Sequence, residues 1–132
     1  MKLNLDCCRD ILFFLEDNLN ITDELETEEV SLESIAAALS DYRIGELVNT
    51  LFVLEEAGFI ILNHLYSYES TEDILVSRIT YNGYQFIESI RPETVWNKIK
   101  SIGLKIGSLS INTTSQIAVG VLTALINAQL GL

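Results

Sequence analysis

Apolar residues recur at helical spacing near the start of the chain. Cys8, Ile11, Leu12, Leu15 and Leu19 form one stripe, which predicts a helix from about Asp6 to Leu19. The next segment, 20-NITDELETEEV-30, is acidic and turn-rich and interrupts the pattern. Ser31 then suits an N-cap, because its hydroxyl oxygen can accept one of the orphan N–H groups of a helix start. In the short second helix that follows, Leu32, Ile35, Ala36 and Leu39 face inward. Ser40-Asp41 breaks that helix and is expected to cap a third, whose stripe is Ile44, Leu47, Val48, Leu51 and Leu54. Gly58 supplies a left-handed stop.

Beyond Gly58 the pattern changes. Phe59 to Tyr68 reads as a strand and Ile74 to Thr80 as its partner, joined by the polar link 69-ESTED-73. Thr80 can cap a fourth helix, in which Gly83, Phe86, Ile87 and Ile90 share a face. Pro92 fits the first turn of a fifth helix with Val95, Ile99, Ile102 and Ile106 on one side. A loop, 107-GSLSINTT-114, precedes a last helix from about Ser115 to Leu130, with Gly131 as terminator. Three helices, a hairpin and a fourth helix, in that order, predict a mainly α (α+β) chain. The expected architecture is a winged helix-turn-helix with a β-hairpin wing and a C-terminal helical extension.

Charge divides the chain. Residues 1–91 hold 18 Asp/Glu against 5 Lys/Arg, net −13, whereas residues 92–132 hold only Glu93 against Lys98, Lys100 and Lys105, net +2. The division at Arg91-Pro92 marks an acidic domain, 1–91, and a helical extension, 92–132. From Ile106 to Leu132 no residue is charged. Cys7 and Cys8 are neighbours, and a bond between adjacent residues closes no useful loop, so free thiols are expected. The first residues lack the uninterrupted apolar core of a signal peptide, because Asp6, Arg9 and Asp10 break it. Free thiols and the missing signal lead to the expectation of a cytoplasmic protein.

Three stretches carry a resemblance: 3-LNLDCCRDIL-12, 54-LEEAGFI-60 and 79-ITYNGYQFIESIRPETVWNKIK-100. They resemble a family of small proteins from Gram-positive bacteria and their phages, known only as a domain of unknown function. The run from Thr80 through Trp96 to Lys100 is its most specific part. The resemblance implies a winged-helix-like fold with a short helical tail and carries over no catalytic residue.

Candidate sites follow from the expected fold. If Leu47, Leu51 and Leu54 point inward, then Tyr42, Arg43, Glu46, Asn49 and Thr50 face a partner or DNA, with Val53 beside them. Arg43 and Asn49 have the chemistry to read guanine and adenine edges. Duplex affinity, however, rests on neutralising several phosphates. This face offers one Arg with Glu46 close by, and the wing carries Glu69, Glu72 and Asp73. A solvated acidic face is the plainer reading. A sharper one is imitation of DNA by 23-DELETEE-29 and the acidic wing, which would occupy a nucleic-acid-binding protein.

In the tail, Gly120, Ala124 and Ala128 fall at four-residue spacing and form a small-residue strip, with Val121 and Leu125 beside it. Self-association is the favoured reading, with docking within the chain close behind. Membrane contact is the weaker reading, since spanning needs about 20 mainly apolar residues and Gln116, Asn127 and Gln129 interrupt this segment. Trp96 is either an interface anchor or a seal of its helix against the core. No glycine-rich phosphate loop and no Gly-x-Ser-x-Gly occurs, and His64 has no second His or Cys nearby. Cys8 paired with His64 has no supporting pattern for nucleophilic chemistry. The expectation is a non-catalytic adaptor with no cofactor and no metal, acting on a protein partner as a homo-oligomer. The alternatives are a dimeric transcriptional regulator on DNA and the DNA mimic.

Overall fold

A computed structural model describes residues 1–66 and 72–132, with the side chains of residues 64–66, 72 and 73 left outside that description. Tyr68 and Glu69, expected in the strand end and the acidic wing, therefore lie outside the described residues. Among those described, the chain forms six helices and two small antiparallel sheets. It is a mainly helical α+β protein with two compact units, Met1–Tyr84 and Gln85–Leu132. The division falls inside a helix, whereas the sequence reading places it at Arg91-Pro92.

In the first unit, α1 (Leu5–Asn18) starts where the Asn4 side chain accepts the Cys7 N–H at 3.3 Å. Its stripe is buried from Cys8 to Leu15 and Cys7 joins it, whereas Leu19, expected in the same stripe, is the half-buried C-cap residue. The acidic segment after α1 contains a pairing that periodicity does not reveal. β1 (Asn20–Ile21) pairs with β2 (Thr27–Glu28), and β3 (Val30–Ser31) pairs antiparallel with a strand far along the chain. Two-residue strands carry no alternation to read. Leu25 turns the small hairpin with φ 65.

Ser31 ends β3 and also caps α2 (Leu32–Ala38), accepting the Ser34 N–H at 3.1 Å. The next helix, α3 (Ile44–Glu56), begins later than expected: Arg43 is its N-cap residue and no side chain caps it. Ser40-Asp41 sits in the preceding turn instead. Ile44 is 55% exposed, so the buried stripe starts at Leu47 and continues through Leu51 and Leu54. Helix α3 packs on α1 and α2. Gly58 closes it in the left-handed region, with φ 82, and the Phe59 N–H returns to the Leu54 carbonyl at 2.9 Å.

The hairpin consists of β4 (Ile60–Tyr66) and β5 (Glu72–Ile79). Glu72 and Asp73 belong to the strand, opposite Tyr66 and Leu65, rather than to the link. Strand β5 is central: the sheet order is β3-β5-β4. After it, α4 (Tyr81–Ile90) is capped by Thr80, whose hydroxyl accepts the Gly83 N–H at 3.1 Å.

In the second unit, α5 (Glu93–Ile106) buries Val95, Trp96 and Ile99. The stripe stops there: Ile106 is 67% exposed. Gly107, with φ 105, reverses the chain. Helix α6 (Ile111–Leu130) then packs on α5 through a face that buries Ile111, Thr114 and Ala118. It starts four residues before the predicted Ser115. Ser110 is the N-cap, accepting the Thr113 N–H at 3.1 Å, and the Thr114 hydroxyl bonds the Ser110 carbonyl at 2.7 Å.

Candidate interaction surfaces

The loop before α3 is tied to α1. The Tyr42 hydroxyl donates to Asp10 Oδ2 at 2.6 Å. Burial, followed by that bond to a carboxylate, holds the Tyr42 hydroxyl well above its ordinary pKa. Tyr42 thus works first as a strut between elements. Arg43 and Asn49 lie at the accessible side of α3, Arg43 exposed and Asn49 half-buried. Glu46 is half-buried, with Asn4 Nδ2 at 3.5 Å from Oε1.

Thr50 is a correction. It is 1% exposed and presents nothing to a partner or to DNA. Its hydroxyl donates to the Glu46 carbonyl at 2.7 Å and lies 3.4 Å from Cys7 Sγ. The residue sits one turn from Leu47 and Leu54, and a threonine that satisfies its hydroxyl within its own helix can enter the core. The sequence reading placed it outside the Leu47, Leu51 and Leu54 stripe, but the buried face is wide enough to include it. Glu55 shows the opposite lesson. Although charged, it accepts the Leu62 N–H at 3.0 Å and so serves a backbone donor of edge strand β4.

The two cysteines are free and buried. Burial raises both thiols, Cys8 to about 12, so neither is primed as a nucleophile. Among the described residues no three His, Cys, Asp or Glu side chains are grouped to hold a metal ion. The side chain of His64 lies outside the described residues. Trp96 is 4% exposed and offers no free anchor.

In α6 the small-residue strip is open. Gly120, Ala124 and Ala128 are exposed, and a Cβ added at Gly120 would meet nothing. Val121 and Leu125 are half-buried, on the flank nearer Thr114 and Ala118. The large exposed apolar residues lie elsewhere: Val119 at 54%, Ile126 at 49% and Leu130 at 67%. At about 100° per residue these three share a line about 100° around the helix from Gly120. Gln116, Thr123 and Asn127 run between the two. The helix therefore presents two separate exposed lines, one of small residues and one of large apolar residues. No helix among the described residues is long and apolar enough to cross a membrane.

Comparison with curated proteins gives no match, and neither does comparison with solved structures. The model of one family does match, over residues 2–110, ending at the N-cap of α6. That family is described as a hypothetical protein, DUF2513, and the chain belongs to it.

Proposed function

We propose that this chain is a non-catalytic interaction module on a winged helix-turn-helix scaffold, whose C-terminal helices join copies of the chain. The scaffold reading rests on topology. Helix, short strand, two helices and a hairpin follow one another, and the short strand pairs beside the hairpin in the order β3-β5-β4. This order, with the small β1–β2 hairpin inserted after the first helix, supports the reading of a helix-turn-helix followed by a wing.

One observation carries the assembly reading. Val119, Ile126 and Leu130 form an exposed apolar line on a helix without charge. Apolar surface of this kind gains free energy when a partner removes it from water. A second copy presents the same line and brings no like-charge repulsion to it, as a two-fold interface requires.

A second reading, a DNA-binding regulator, is favoured by the same topology and by the exposed Arg43 ahead of α3. Electrostatics weighs against it, because Glu46 and Glu56 share that helix and residues 1–91 carry net −13.

Light scattering on the full chain, beside the variants Ile126→Ser with Leu130→Ser and, separately, Ala124→Leu, tests the assembly. The native chain is expected at twice the single-chain mass or more. The double serine variant should return to one chain. Loss of assembly in Ala124→Leu alone would move the contact to the small-residue strip. A monomeric native chain that shifts duplex DNA at low salt, with the shift abolished by Arg43→Ala, would overturn the reading in favour of the regulator.

A further inference from the structure

Strand β5 carries a bulge. Its ladder with β4 runs from Ile61↔Arg78 to Leu62↔Val76, so Ser77 is the extra residue. A bulge re-aims the side chains beyond it and recurs beside functional sites. Here the buried positions pass from Ile74 and Val76 to Ile79, and Arg78 is left exposed. The Ser77 hydroxyl is already engaged, accepting from Asn63 Nδ2 at 2.7 Å and donating to Glu29 Oε2 at 3.1 Å.

Beside the bulge lies a cleft of about 630 Å³, wholly within the first unit. Leu19, Ile21, Ile79 and Tyr84 give it an apolar lining, and Asn20, Ser77 and Arg78 a polar one. Its size falls in the range of sites for small molecules, roughly 300–1,000 Å³. Its charge is out of keeping with its surroundings. Residues 1–84 hold 17 Asp/Glu against 4 Lys/Arg, yet this lining contains Arg78 and no carboxylate. Arg78 makes no ion pair among the described residues.

We propose that this cleft binds a monoanionic carboxylate carried on an aromatic or branched apolar group. The Arg78 guanidinium holds the carboxylate, because its planar fork matches two carboxylate oxygens. Ile21, Ile79, Leu19 and Tyr84 take the apolar body. A single guanidinium within a strongly negative unit balances one charge and not two, so phosphate dianions are disfavoured. The ligand chemistry is shared by a free organic acid and by the C-terminal carboxylate of a peptide ending in an apolar residue.

The test is a titration of the isotope-labelled full chain, followed through its backbone amide resonances. The probes are phenylacetate, uncharged phenylacetamide, phenyl phosphate and acetyl-Gly-Phe with a free carboxylate. Phenylacetate should move the amides of Asn20, Ile21, Arg78 and Tyr84. Phenylacetamide should bind about tenfold more weakly or worse, the value of a charge-assisted hydrogen bond. Phenyl phosphate should bind no tighter than phenylacetate. Arg78→Gln, at an exposed position, should keep the native spectrum and bring phenylacetate down to the affinity of the amide. Binding of acetyl-Gly-Phe well above that of phenylacetate identifies a peptide terminus as the occupant, and the reverse identifies a free acid. Either supports the site. No shifts at the cleft, equal affinity for acid and amide, or an Arg78→Gln variant that binds phenylacetate unchanged overturns it.

Discussion

Gly83 is the position where one methyl group should cost the most. A Cβ there overlaps the Phe59 carbonyl oxygen, lies 2.7 Å from Ile79 Cγ2 and 3.0 Å from the Phe59 carbonyl carbon. Ile79 is buried and the other two atoms are backbone, so no flexible side-chain end can swing aside. Relief requires the start of α4 to move from the end of α3. That movement strains a linked set of bonds: Thr80 N–H to Phe59 O at 3.0 Å, Gly83 N–H to Thr80 Oγ1 at 3.1 Å, and the Thr80 hydroxyl to the Gly58 carbonyl. Overpacking of this kind costs about 1–3 kcal/mol, and weakening one or two of the bonds adds about 1 kcal/mol each. The better helix propensity of alanine returns about 1 kcal/mol. The net expectation for Gly83→Ala is a loss of about 1–4 kcal/mol, dominated by the steric term.

Gly45→Ala is the matched control. Gly45 lies in the first turn of α3, and an added Cβ meets only Met1 Cε, at 3.7 Å. With no overlap, the smaller entropy of the unfolded chain should stabilise this variant by about 0.4–1 kcal/mol. Urea unfolding followed by far-ultraviolet circular dichroism measures both. The midpoint should fall by about 0.5–2 M for Gly83→Ala and hold or rise for Gly45→Ala. A Gly83→Ala midpoint at or above that of the native chain would refute the close approach of α4 to Phe59.

Three further outcomes follow from buried or mis-assigned groups. The Cys8 thiol is raised from 9.0 to about 12 by burial, so the folded state holds that proton more tightly than the unfolded state. Stability should be level below about pH 9 and fall as pH rises toward 12, by up to ~1.4 kcal/mol per unit, and urea midpoints of Cys8→Ala should show a shallower alkaline decline. Thr50→Val should change stability by less than about 1 kcal/mol, because the lost hydroxyl bond lies within one helix, and should leave binding to any partner or DNA intact by titration. Glu55→Ala should cost about 1–2 kcal/mol in the same unfolding assay by leaving the Leu62 N–H without its carboxylate, whereas Glu55→Gln, which keeps an acceptor oxygen, should cost less.

Periodicity made the long elements readable. Cys8 to Leu15 in α1, Leu47 to Leu54 in α3 and Phe86 to Ile90 in α4 are stripes that burial requires, and each is buried. The same rule overran at helix ends. Ile44 and Ile106 continue their stripes in sequence but extend past the core, and both are exposed. Strand β3 escaped notice because its alternation is two residues long and its partner, β5, is more than forty residues away. The start of α6 did have a local signal, Ser110 three residues before Thr113, a pair that read as loop because both are polar. The cleft at Arg78 had none. Its lining comes from the end of α1, β1, the bulge in β5 and the start of α4, and only the fold brings these together.

The order of elements and the choice of partner are set by different residues. Leu47, Leu51 and Leu54 are fully buried where α3 packs on α1 and α2. Charged residues on the outer side lie away from that packing, so the order of elements by itself does not select DNA as a partner. Selection falls to the surface. On α3 the one cation nearby, Arg43, is outnumbered by Glu46, Glu55 and Glu56, and Glu55 is partly spent on Leu62. One phosphate contact contributes a salt dependence near −0.9 in log–log slope, against the six to ten contacts of a firm DNA binder. The apolar line of α6 has no such shortfall. Each Å² of apolar surface that a contact removes from water is worth about 25 cal/mol, and no charge from Ile106 to Leu132 opposes such a contact. The balance of these two terms is the ground on which the proposed interaction module is preferred to the regulator.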